Sequence, residues 1–196
     1  MKKFKESKTA ENLLKSFAGE SQARMRYTYY ADKAQEEGFL QVAEIFIETA
    51  DNEKEHAKLF YNHLIKNGMN EEKLEIHAGY PIALSDRTLD NLGYAATGEH
   101  EEWSELYSTY ADVADEEGYP EIAKTFRNVS QVEKRHEERY LKLKKNVQEH
   151  KVFKKDGKVY WKCRRCGYIV ESIMAPPKCP VCQYEQKYFE VWKPNY

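Results

Sequence analysis

The chain has 196 residues, 33% of them charged, with 31 Lys and Arg against 33 Asp and Glu. A length of this order supports one sizeable core and a small satellite, and the balanced charge argues against a nucleic-acid groove or an acidic tail. No run approaches the ~18 apolar residues of a membrane helix, and the start, Met1-Lys2-Lys3-Phe4-Lys5-Glu6, has no apolar secretory segment behind its charges, so the expectation is a cytoplasmic protein with neither membrane nor nucleic acid as partner.

Four helices are predicted in chain order, then a different kind of segment. The first runs from about Ser7 to Glu37, with Leu13, Phe17, Glu20, Tyr27, Ala31 and Ala34 inward, and Gly38 ends it. The second, about Phe39 to Asn67, carries Val42, Phe46, Thr49, Glu53, His56, Phe60 and Leu64 at steps of three and four, and Gly68 closes it. Residues 69–85, with Gly79-Tyr80-Pro81, are too interrupted for a long helix and long enough to cross a bundle end to end. The third helix, about Asp86 to Glu117, turns Leu89, Leu92, Ala96, Glu99, Leu106, Tyr110 and Val113 inward before Gly118-Tyr119-Pro120. The fourth, about Pro120 to Glu149, repeats the stripe as Ile122, Phe126, Val129, Glu133, His136, Tyr140 and Leu143. The expected organisation is a mainly α four-helix bundle with a long crossover over residues 1–149, then a small β-rich four-cysteine unit over 150–196.

The two halves of the bundle are copies. Between Tyr30–His56 and Tyr110–His136, 12 of 27 positions are identical, including both Glu-Lys-x-His segments. Before Tyr30 the offset drops from 80 to 79, pairing Gly19-Glu20 with Gly98-Glu99, so the third helix holds one extra residue between Glu99 and Tyr110. An inserted helical residue is commonly absorbed as one wide π-type turn, often at a functional site. Such a turn is expected near Glu102, bringing a further carboxylate inward.

With 26 glutamates and 6 histidines, chance alone supplies about one Glu-x-x-His. The signal is the coincidence of two such motifs with the repeat and the apolar stripes. Glu20, Glu53, His56, Glu99, Glu133 and His136 all fall on faces expected to be buried, and isolated carboxylates in a dry core cost several kcal/mol each. Glu and His at i and i+3 share a helix face, so two pairs plus one Glu from each remaining helix give four carboxylates and two imidazoles around two metals. That oxygen-rich set suits a di-iron centre better than zinc. With Glu102 as a fifth carboxylate, the pair stays within one charge of neutrality in both the diferrous and diferric states. Glu102 is expected to bind in the oxidised state and yield to His56 on reduction. His63, His77, His100 and His150 lack partnered spacing and read as surface or loop residues, and Glu55 and Glu101 as solvated.

All four cysteines lie in the last segment as Cys163-x-x-Cys166 and Cys179-x-x-Cys182, flanked by strand-like Lys158–Trp161 and Tyr188–Trp192. So small a segment needs a metal staple. Either zinc or iron accepts four thiolates; beside a di-iron bundle, a one-electron iron carrier is the better match.

The chain resembles the rubrerythrins over essentially its whole length, through Ala18-Gly19-Glu20-Ser21-Gln22-Ala23-Arg24, Glu53-x-x-His56, Gly98-Glu99-His100-Glu101-Glu102, Glu133-x-x-His136 and the rubredoxin-like tail. The resemblance implies a ferritin-like bundle whose non-haem di-iron centre reduces hydrogen peroxide to water. It further implies electrons from NADH through a separate reductase, often via rubredoxin, and a homodimer or higher homo-oligomer. By similarity Glu20, Glu53, Glu99, Glu102, Glu133 and His136 bind two irons, His56 is the redox-dependent alternative, and Cys163, Cys166, Cys179 and Cys182 hold a third. Tyr27 and Tyr107 correspond to the family's tyrosines beside the centre. One departure is Gln183, where rubredoxin-type sites usually have the Gly that permits positive φ. Two other readings stay open: a ferroxidase or iron-handling protein, and an electron-transfer protein with a zinc-ribbon tail.

Overall fold

The computed structural model describes residues 3–195; Met1 and Lys2 of the charged start, and Tyr196, lie outside the described residues. Five helices form the bundle: α1 (Lys8–Glu36), α2 (Leu40–Lys66), α3 (Thr88–Glu101), α4 (Tyr107–Glu116) and α5 (Pro120–Gln148). A π-helical turn, Glu102–Leu106, joins α3 to α4 into one continuous rod, as the extra residue predicts, and the Tyr107 amide donates to the Glu102 carbonyl five residues back. Gly38 and Gly118, at φ 83° and 85°, end their helices in the same way. The Phe39 and Tyr119 amides reach back to Ala34 and Ala114 at 2.7 Å, a closure that needs the left-handed conformation glycine adopts without strain.

Each rod passes from one apolar core to the other through a polar layer. One core gathers Tyr27, Tyr30, Phe46, Leu92 and Tyr140; the other gathers Leu13, Phe60, Tyr107, Phe126 and Val129. Along α1 and α5 the order of the cores is opposite to that along α2 and the α3–α4 rod, so α2 and α3 run in the same direction. That arrangement requires the chain to return the length of the bundle between them. Residues 69–85 do so, pinned by Tyr80 Oη on the Lys15 carbonyl at 2.9 Å and by the Tyr30 hydroxyl on the Ala83 carbonyl at 2.6 Å.

The halves also cap one another. The Glu117 carboxylate accepts from the Lys8 and Thr9 amides at 3.0 and 2.8 Å, satisfying orphan donors at the start of α1. Its repeat partner Glu37 accepts from the Thr88 amide at the start of α3.

The inward stripes hold with one correction. Leu106, expected inward, is 40% exposed, because the widened turn rotates it outward and gives its place to Tyr107, 1% exposed. Leu89, Tyr110 and Val113 are half-buried.

The tail is a three-stranded antiparallel sheet ordered β2-β1-β3, with β1 Lys154–Cys163, β2 Ile169–Met174 and β3 Phe189–Val191. Strand β2 is additional to the two expected. Its side chains alternate between half-buried and exposed for most of its length, and Trp161 Nε1 donates to the Ser172 carbonyl at 3.0 Å. The first cysteine knuckle meets the bundle through Arg164, which is ion-paired with Glu44 of α2. No helix among the described residues is long and apolar enough to cross a membrane.

Candidate metal centres

Between the two cores, every rod contributes acid to one layer. Glu20, Glu53, Glu99 and Glu133 are at most 1% exposed, with His56 and His136 at 8% and 3%. Their atoms sort into two groups, Glu20-Glu53-His56-Glu133 and Glu53-Glu99-Glu133-His136, in each of which the ligand atoms lie within 4.8 Å of one another. Glu53 and Glu133 belong to both. Glu133 places Oε1 at 2.8 Å from His56 Nδ1 and Oε2 at 2.8 Å from His136 Nδ1. Glu53 does the same, Oε2 at 2.9 Å from His56 and Oε1 at 3.3 Å from His136. Two carboxylates thus span two positions, each completed by one terminal glutamate and one terminal imidazole.

These approaches are not aligned as hydrogen bonds. Both oxygens of Glu53 and Glu133, one oxygen each of Glu20 and Glu99, and Nδ1 of both histidines have no hydrogen-bond partner among the described residues. Buried polar atoms left so are costly. Ligands at ~2.1 Å from a shared cation and at right angles around it stand about 3 Å apart, which is the spacing seen. The electrostatics agree. Burial, then the charges of Glu102, Glu133 and Glu53, push Glu20 well above the usual carboxylate range, against the Tyr107 hydrogen bond. Burial and Glu53 push Glu99 up to about 8. Without a cation the layer is kept near neutral only by protons held on Glu20 and Glu99 beyond their usual range; cations would displace those protons, and the residues fit a pair of them.

Two tyrosines orient the outer glutamates across the repeat. Tyr27 Oη donates to Glu99 Oε1 at 2.6 Å, and Tyr107 Oη donates to Glu20 Oε1. Each hydroxyl serves the glutamate of the opposite half.

Glu102 stands beside the layer, outside both groups, while His56 lies within one. It is half-buried, and burial together with Glu99, Glu133 and Glu53 pushes its carboxyl well up, Arg26 opposing. It lines a cleft of about 270 Å³ with Tyr107, Gly19, Gly98 and Arg26, roofed by Tyr80 of the crossover. Sequence reading gave no weight to Arg26, whose Nε donates to Gln22 Oε1 at 2.7 Å. Its signal was positional only, one residue before Tyr27. His77, His100 and His150 are exposed, as are Glu55 and Glu101, while His63 is half-buried and bonded to Thr125 Oγ1 at 2.8 Å.

In the tail, the four sulfurs lie within 4.8 Å of one another. Cys163–Cys182 and Cys166–Cys179 are 3.7 and 3.6 Å apart, too far for disulfides and close to the ~3.8 Å edge of a tetrahedron with ~2.3 Å metal–sulfur bonds. The two knuckles match: the Gly167 and Gln183 amides donate to the Cys163 and Cys179 carbonyls at 2.8 and 2.9 Å. Gln183 adopts φ 60°, beside 80° at Gly167. The amides of Tyr168 and Tyr184 accordingly reach the sulfurs of Cys166 and Cys182 alike.

Comparison with known proteins follows the same division. The Rubrerythrin family model matches residues 11–144, and the model for the rubrerythrin rubredoxin-like domain matches 161–190. The chain is 56% identical to the rubrerythrin of Clostridium perfringens (strain 13 / Type A) over 196 residues, 100% of each chain. It is 44% identical to the rubrerythrin of Nitratidesulfovibrio vulgaris over 191 residues, 97% of each. A solved structure of nigerythrin in a partially reduced state aligns with TM-score 0.64 at 30% identity, covering 95% of this chain and 90% of that one. A Desulfovibrio desulfuricans bacterioferritin, 20% identical over 74% of this chain and 82% of its own, shares the ferritin-like fold at TM-score 0.66. With the donor sets of a di-iron centre and of a rubredoxin-like four-cysteine site in place, the chain belongs to the rubrerythrin family.

Proposed function

We propose that the chain is a peroxidase that reduces hydrogen peroxide to water in the cytoplasm, the terminal component of an NADH-dependent route. Each turnover consumes one peroxide, two electrons and two protons and yields two waters. Iron ions held by Glu20, Glu53, Glu99, Glu133, His136 and either His56 or Glu102 would supply the electron pair, and an iron held by Cys163, Cys166, Cys179 and Cys182 would return electrons singly from rubredoxin or a reductase.

The observation that carries this reading is the cleft ending on Glu102 and Tyr107 at the edge of the acidic layer. It would admit a small polar molecule to one side of the centre, beside Glu102 and Tyr107. Glu102, whose carboxyl burial and neighbouring charges push well up, is placed there to take up or give a proton. The Tyr107 hydroxyl, oriented by Glu20, and the Tyr27 hydroxyl, oriented by Glu99, each direct their one proton at a glutamate of the layer and keep oxygen lone pairs to accept from a bound molecule. In this reading residues 1–149 form the catalytic unit and 150–196 the electron-delivery unit. Association into a homodimer or larger assembly is part of this reading.

Stopped-flow mixing of the fully reduced, iron-loaded protein with peroxide tests the reading. Rapid reoxidation of the di-iron centre, followed by the four-cysteine iron, is expected. Slow reaction with peroxide but fast reaction with dioxygen would instead establish a ferroxidase or oxidase.

A further inference from the structure

Beyond the metal layer, the widened turn of the second half is gripped by side chains that the first half lacks. Ser130, Lys134 and Glu137, on one face of α5, converge on Trp103. Ser130 Oγ donates to the Trp103 carbonyl at 3.1 Å, Trp103 Nε1 donates to Glu137 Oε2 at 2.6 Å, and Lys134 Nζ lies 5.0 Å from the indole centre. The other oxygen of Glu137 lies 3.0 Å from His100 Nδ1, and the His100 ring meets the indole edge to face at 5.2 Å. Under the 80-residue offset the first half has Ala50 and Ala57 in place of Ser130 and Glu137, and under the 79-residue offset it has Arg24 in place of Trp103. Lys54 matches Lys134, so the lysine does not distinguish the halves. The hydrogen bonds to Trp103 occur only where the extra residue occurs.

A π-type turn departs from regular i to i−4 bonding, and side chains that engage the helix at such a turn help set its local geometry. We propose that Trp103, held by Ser130 and Glu137, is a positioning residue that fixes the widened turn and thereby sets where the adjacent Glu102 carboxylate stands against the metal layer. The inference rests on the reading of Glu102 as a metal-site carboxylate. Trp103 acts on the chemistry only through Glu102; its indole hydrogen bond goes to Glu137, which belongs to neither ligand group.

The test uses the full iron-loaded chain. Trp103→Phe keeps an aromatic side chain, though a smaller one, and deletes the donor, Ser130→Ala deletes only the hydroxyl, and Glu137→Gln keeps an acceptor oxygen. Peroxide turnover and the absorption spectrum of the oxidised di-iron centre are recorded for each variant, alone and with Glu102→Gln. Ser130→Ala is expected to lower turnover about fivefold, the effect of one neutral hydrogen bond, and Trp103→Phe about tenfold or more, the effect of one to a carboxylate; both should shift the spectrum, with Glu137→Gln closer to the parent. In the Glu102→Gln background the spectrum is expected to be the same with and without Trp103→Phe. Equal shifts in both backgrounds, or lost thermal stability with an unchanged spectrum, would overturn the positioning role alone. A Glu102→Gln protein with parental turnover and spectrum would overturn the assignment of Glu102 and the inference with it.

Discussion

Tyr27→Phe removes a single oxygen from the layer. The ring stays packed among Tyr30, Phe46 and Tyr140, at centroid distances of 5.9, 6.2 and 5.5 Å, so the apolar core keeps its volume. What is lost is a 2.6 Å hydrogen bond to Glu99, on a buried carboxylate that burial and Glu53 already push up to about 8. Hydrogen bonds to charged acceptors contribute ~1.5–3 kcal/mol, about a ten- to hundredfold change in an equilibrium constant. Without the donor, Glu99 holds its proton more tightly and competes less well for a cation. Anaerobic ferrous titration of the metal-free protein, followed by calorimetry, should show weakening by about tenfold or more at the position shared with His136 and little change at the other. Tyr107→Phe should do the reverse, through Glu20. Equal weakening of both positions by either variant, or affinity unchanged within about twofold, would refute the claim that each tyrosine serves one side.

The metal-free bundle should lose thermal stability as pH rises. Against burial, which lowers them, Glu133 and Glu53 raise His56 to about 10, and the same two with Glu99 raise His136 to about 12, from 6.5. That contribution is complete below 6.5 and lost toward 10–12; Glu99, raised from 4.5 to about 8, adds a loss above 4.5. Glu133 acts oppositely: against burial, His136 and His56 hold it down to about 2, and its contribution is lost only as pH falls toward 2. Cations displace the protons concerned, so the Tm gap between loaded and metal-free protein should widen from about pH 5 to pH 9; a constant gap contradicts the scheme. Chelation of the four-cysteine metal should unfold the tail and spare the helices, because Cys163 and Cys179 are themselves among the five buried residues of its core; retained near-ultraviolet dichroism from Trp161 would show otherwise. Gln183→Gly should relieve a left-handed residue by ~1 kcal/mol and raise the tail's melting temperature slightly, leaving the visible spectrum of the iron-loaded site unchanged, since Gln183 already adopts the conformation that lets the Tyr184 amide reach sulfur.

Much of this architecture was legible because the repeat constrains it twice. Counting offsets between copies located the π-helical turn at Glu102–Leu106 without any propensity argument. The same extra residue defeated the periodic stripe that follows: a 3.6-residue period carried through the turn put Leu106 inside, where Tyr107 belongs. Strand β2 escaped notice although Ile169, Val170 and Ile173 are β-branched, because its alternation is one-sided and shallow. The six central ligand candidates were readable as pairs and singles. That Glu53 and Glu133 span both positions was not, since it depends on side-chain rotation about the helix. The grip on Trp103 was invisible for a related reason: it links residues 27 and 34 positions apart, and no local pattern connects them.

The exchange of tyrosines and capping glutamates between the halves bears on how such a site could become lopsided. Two separate hairpins assembling as identical partners would each carry any inserted residue, and the widened turn would arise on both sides or on neither. Tethered in tandem, the copies still complete each other's chemistry, yet only one has accepted the insertion. Covalent linkage thus let one side of the layer gain an additional carboxylate beside it, Glu102 on the widened turn, while the other kept a regular helix.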